Sequence, residues 1–275
     1  MKKMFKRLTI GLILVVSLAA AGQEMPVVTQ RSLDNVAQEA FFPLLDQAGK
    51  RLLCFNRDVG LMLFDPDIGQ TVVVTPGTVI TSYTRWGDDG KVYYATRLEG
   101  DDGQRVLTYY CYDPATRTTV RLNEPAHGAV WVERDRVHVT VDGTERVFSP
   151  VDSRTSYRWP SLSPDGRRVA FYVRHKGVVI IDLRGQMLAM LGDYEWPCWY
   201  NEDYLLAQAS RPGGRGSEAT SLIVLLKADG SERIPLTDPA QKAIQPTCAG
   251  GRVVYTTIEG RLHEMTLSIA ANGGL

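Results

Sequence analysis

PLLDQAGKRLLCFNRDVGLMLFD, residues 43–65, and PSLSPDGRRVAFYVRHKGVVIID, residues 160–182, are one pattern written twice. Pro43 and Pro160, Gly49 and Gly166, Arg51 and Arg168, Gly60 and Gly177, and Asp65 and Asp182 all pair at a constant offset of 117 residues, three times 39. A fixed period of this size identifies a chain built from structural repeats.

Each copy reads as strands. A polar turn, Asp46-Gln47-Ala48-Gly49 or Ser163-Pro164-Asp165-Gly166, leads into an apolar run and then a second turn and run. Asp-Gly supplies the positive backbone angle of a tight hairpin turn. Fainter copies open at Lys91, Arg136 and Arg252, and near Tyr204 after Asn201-Glu202-Asp203. Six units of about 40 residues fit the chain, a period matching one four-stranded propeller blade. The third unit, around Trp131, is short, and the fifth is lengthened by residues 211–217.

Residues 160–171, PSLSPDGRRVAF, resemble the WD-repeat-like motif of TolB-like β-propellers, in which the serine-proline-aspartate-glycine turn joins the first two strands of a blade. Trp196-Pro197-Cys198-Trp199 and Gln245-Pro246-Thr247-Cys248 keep the inner-strand proline, whereas the second and third units lack it. The resemblance implies an all-β, six-bladed propeller of four-stranded blades and specifies no activity, because propellers host enzymes, binders and scaffolds alike. One strand is missing from the last blade. A segment within residues 25–32, centred on Val27 and Val28, is expected to supply it and to close the ring.

The first 21 residues read as a cleavable signal peptide: Lys2, Lys3, Lys6 and Arg7, then an apolar core, then Ala19-Ala20-Ala21. That core is shorter than the ~20 residues of a membrane span. No cysteine precedes Cys54, so no lipid-anchor cysteine stands at the cleavage site. The expectation is a periplasmic or secreted monomer, with residues 22–275 forming a single domain. The whole chain carries 31 basic and 31 acidic residues; loss of the four leader cations leaves 27 against 31, or about −4. Such a balance argues against a nucleic-acid partner.

Cys54, Cys111, Cys198 and Cys248 have no paired zinc spacing. They are expected to be buried free thiols, on the argument that neighbouring inner strands of a propeller do not bring cysteines within bridging distance. The four histidines have no metal-ligand spacing, no Gly-x-Ser-x-Gly turn occurs, and Asp65, Asp113 and Asp182 sit where turn hydrogen bonding is expected. No catalytic residue, metal or cofactor is assigned.

On the blade plan that the resemblance implies, inner strands line a central channel. Aromatic residues beside arginines stand at its entry: Arg85, Trp86, Trp131, Arg158, Trp159 and Trp196. Indole and guanidinium groups there would stack on and clamp a sugar, a peptide or a carboxylate. The same residues would equally serve to fill the seams between blades. The expected function is a binding module of the cell envelope, with an envelope protein, a glycan or a peptide as partner. The alternative is a periplasmic hydrolase or lyase acting on a carbohydrate or lactone through acidic or metal-assisted chemistry in the channel.

Overall fold

The computed structural model describes residues 27–33, 39–65, 69–99, 104–151, 156–214 and 218–268. The proposed leader, residues 1–21, lies outside them. The fold is all-β, a six-bladed β-propeller. Its first blade is Ala40–Leu45, Leu52–Asn56, Gly60–Asp65 and Gln70–Thr75; the second is Arg85–Trp86, Val92–Glu99, Arg105–Asp113 and Thr118–Leu122. The third has three strands among the described residues, Val130–Glu133, Arg136–Val141 and Thr144–Phe148. The fourth is Tyr157–Leu162, Arg168–Val173, Gly177–Asp182 and Met187–Gly192, and the fifth is Glu195–Trp199, Tyr204–Arg211, Thr220–Lys227 and Arg233–Pro235. Ala243–Ala249, Arg252–Thr257 and Leu262–Ser268 form the sixth, with Val27–Ser32 as its outer strand.

The repeated turn owes its shape to a polar side chain that replaces backbone partners. Asp46 Oδ1 accepts from the N–H groups of Lys50 (2.7 Å) and Arg51 (3.1 Å), and the Ser163 hydroxyl accepts from Arg168 N at 2.9 Å. Asp113 and Asp182 cap their turns in the same way, as expected, accepting from Ala115 N and from Arg184 N and Gln186 N. Gly60 and Gly177 occupy equivalent hairpins with φ of 116° and 82°. A Cβ at either would run into a carbonyl of the next strand, that of Thr75 or Gly192, so the repeat needs glycine there.

The core lies between blades. Leu206, Ile223 and Leu225 of the fifth blade pack on Val253, Tyr255 and Met265 of the sixth. Comparable buried clusters join the sixth to the first, the first to the second, the third to the fourth and the fourth to the fifth. Among the described residues no such cluster joins the second blade to the third. That seam is bridged instead by Arg85, whose guanidinium donates to the carbonyls of Ala126 (2.8 Å) and His127 (2.7 Å) ahead of the third blade.

Ring closure follows the expectation from sequence. Val27 pairs with Ser268, Val28 with Leu267, and the antiparallel register runs on to Ser32 opposite His263. Side chains tighten it: Gln30 donates to Leu236 O at 3.1 Å and accepts from the buried Tyr255 hydroxyl at 3.1 Å, while Arg31 bonds Glu264. The edge of the last blade is thus paired, which removes a template for intermolecular strand addition.

Candidate functional site

Four inner strands share an unusual backbone. Phe42, Trp159, Trp196 and Gln245, each followed by proline, have φ of 53°, 51°, 53° and 56°. At each of them the ladder to the second strand breaks, between Phe41 and Leu44, Arg158 and Ser161, Glu195 and Cys198, and Ile244 and Thr247. Proline donates no ladder hydrogen bond and disfavours the right-handed region for the residue before it. These four residues instead sit in the left-handed region at a bulge, which costs about 1–3 kcal/mol for a side chain other than glycine. Such outliers cluster at functional sites more often than elsewhere.

The bulges bring aromatic rings from distant blades together. Trp159 and Trp196 stack with centroids 4.2 Å apart and planes at 22°. Tyr172 flanks Trp159 at 5.2 Å, and Phe42 meets Trp196 at 5.7 Å. Phe42 belongs to the first blade and Trp196 to the fifth, with the sixth between them, so this contact crosses the inner side of the ring. Gln245 fills the intervening place: its Oε1 accepts from Phe42 N at 2.8 Å, and its N–H donates to Gln208 Oε1 at 2.9 Å. Gln208 in turn donates to Glu195 Oε2 (3.1 Å) and Ser210 Oγ (2.8 Å). Phe42, Trp159, Trp196, Gln245 and Glu195 are half-buried, and Arg158 beside them is exposed. The result is a row of aromatic rings in contact, with Glu195 and Arg158 preceding Trp196 and Trp159 in their strands.

The other residues singled out by sequence lie elsewhere. Arg85 spans the second and third blades and lays its guanidinium over Tyr93, 4.6 Å from the ring centre. Trp86 donates its indole N–H to Leu44 O at 3.1 Å under the Arg51 guanidinium. Trp199 repeats that arrangement one half-ring away, donating to Ser161 O at 3.0 Å under Arg168. Trp86 is thus the counterpart of Trp199, a peg between blades, and does not occupy the position of Trp159 and Trp196. Trp131 is sandwiched between His127 (4.4 Å) and His138 (5.0 Å), and its buried N–H has no hydrogen-bond partner among the described residues. Burial depresses the pKa of His127, with Arg85 and His138 adding to the effect and Glu133 opposing it.

Sequence reasoning missed Phe42 and Gln245. The signal was present in the inner-strand prolines Pro43 and Pro246, which mark the same bulge as Pro160 and Pro197. The argument separating cysteines on neighbouring inner strands also needs correction. Cys198 and Cys248 carry no bond between them in the structure, yet their sulfur atoms lie 2.8 Å apart across neighbouring inner strands.

Among the described residues no group of three or more His, Cys, Asp or Glu side chains is arranged to hold a metal ion, and no helix is long and apolar enough to cross a membrane. No protein-family model and no curated protein matches the chain. Solved structures do. Selenomethionine-substituted virginiamycin B lyase from Staphylococcus aureus superposes with a TM-score of 0.49 at 11% identity, over 89% of this chain and 100% of that one. The Swd1 β-propeller domain of Myceliophteria thermophila gives 0.47 at 10% identity, over 88% and 100%.

Proposed function

We propose that the protein is a binding module of the cell envelope that takes its ligand on the aromatic surface formed by Trp159, Trp196 and Phe42. The observation that carries this reading is the stacked pair of indoles on strained bulges, left half-exposed. Trp199, a peg between blades, is only 5% exposed, whereas Trp159 and Trp196 stack on one another and keep part of their rings accessible. A partly wet aromatic surface suits the apolar face of a sugar or the side chains of a peptide. Arg158 and Glu195 at the margin would orient the polar groups of such a ligand. Export through the basic, apolar and small-residue leader would deliver the module to the compartment where cell-wall glycans and peptides occur.

The test is a thermal-shift and tryptophan-fluorescence titration of the protein with oligosaccharides and cell-wall peptides, since a ligand binding only the native state raises the melting temperature. Binding is expected to weaken at least ~10-fold, about 1.4 kcal/mol, in Trp159→Ala and Trp196→Ala. Trp86→Ala should retain ligand affinity. Equal affinity in all three variants would remove the site from this surface.

A further inference from the structure

We propose that Cys198 and Cys248 are joined in the native protein by a disulfide that staples the fifth inner strand to the sixth, directly beside the ligand surface. The two sulfur atoms approach to 2.8 Å, inside the ~3.5–4.0 Å at which non-bonded heavy atoms come to rest. A disulfide needs ~2.05 Å, so the two sulfur atoms are within about 1 Å of bonding distance. The partners are already held in place. Cys248 Sγ lies 2.9 Å from Trp199 O, and the Gln245 backbone is tied to Gln208 of the fifth blade.

The other two cysteines differ. Cys54 is fully buried, and burial pushes its thiol up to about 12, which withholds the thiolate that exchange requires. Cys198 is the better nucleophile, because a hydrogen bond from the Cys248 thiol holds its pKa below the usual thiol value while that of Cys248 is raised.

The bond forms by exchange with a disulfide oxidant, small or protein-borne. The Cys198 thiolate attacks one sulfur of the oxidant and expels a thiolate, leaving a mixed disulfide. Cys248 then loses its proton and attacks Cys198 Sγ, expelling the second thiolate. Two electrons pass to the oxidant, which leaves as two thiols once it takes up the two protons released. The compartment implied by the leader supports such bonds.

The experiment is a peptide map of the full chain, expressed with its leader, purified without reductant and alkylated under denaturing conditions. The expected result is alkylated Cys54 and Cys111 together with one cross-linked peptide pair containing Cys198 and Cys248. Cys198→Ser and Cys248→Ser should each melt roughly 5–15 °C below the oxidised parent and lose its response to reductant. Alkylation of all four cysteines after incubation with oxidised glutathione would overturn the proposal, as would a bridge from either residue to Cys54 or Cys111. The map is read on the unsubstituted protein, so its outcome does not depend on whether either variant folds.

Discussion

The sixth blade and the seam between the second and third blades solve opposite problems by unequal means. The sixth blade is assembled from both ends of the described chain. It is nevertheless the better secured, with a six-residue antiparallel register, a buried Tyr255 bonded to the closing strand and Arg31 and Arg252 converging on Glu264. The second and third blades are consecutive in sequence. Among the described residues they share no buried apolar cluster and are bridged by Arg85, while the third blade carries three strands. Sequence continuity does not by itself make a strong seam. Blades without the inner-strand proline also lack, among the described residues, the register break that the other four inner strands share.

Removing residues through Ser32 should have the largest effect on that contrast. Losing the closing strand exposes a sheet edge and is expected to cost on the order of 5 kcal/mol, lowering the melting temperature by about 10–20 °C and provoking aggregation. A truncated chain that melted with the intact one would show that closure is not where the strength lies.

The two tryptophan pegs sharpen the comparison next. Trp199→Ala should cost about 3–5 kcal/mol as a buried large-to-small change, and Trp86→Ala less, since Trp86 is half-buried, when both are measured by denaturant unfolding. Equal losses would mean that the two halves of the ring are equally tight.

Arg85→Ala should cost about 1.5–3 kcal/mol, the scale of a charged hydrogen bond, and raise amide exchange selectively in the second and third blades. Uniform exchange across the ring would rule out a local weak seam. The smallest effect concerns acid. His127 has a folded-state pKa below the ordinary 6.5, so the unfolded chain takes up its proton first as pH falls. Stability from this residue is complete above the ordinary pKa and declines through 6.5 toward the depressed folded value. His127→Asn should flatten that part of a melting-temperature profile.

The ring was legible because its instructions are local: Asp46, Ser163, Gly60 and Gly177 each perform a task within a few residues of where they stand. Val27 and Val28 were legible as a closing strand because a blade short of one strand has an unpaired edge to fill. The aromatic surface was only half legible. Trp159 and Trp196 stood out, but Phe42 and Gln245 join them through a left-handed backbone at residues other than glycine, which side-chain type does not announce. Trp86 and Trp131 looked equivalent to Trp159 because position along a strand was read without the bulge that shifts its register.

The pairing of Arg31 with Glu264 spans 233 residues of chain. A ribosome releases the chain in order, so Val27–Ser32 must wait, unpaired, until Leu262–Ser268 has been delivered. Completion of the ring therefore waits on the strand Leu262–Ser268. A chain that stopped before Leu262 would leave Val27–Ser32 without the strand it pairs with and the blade with an open edge.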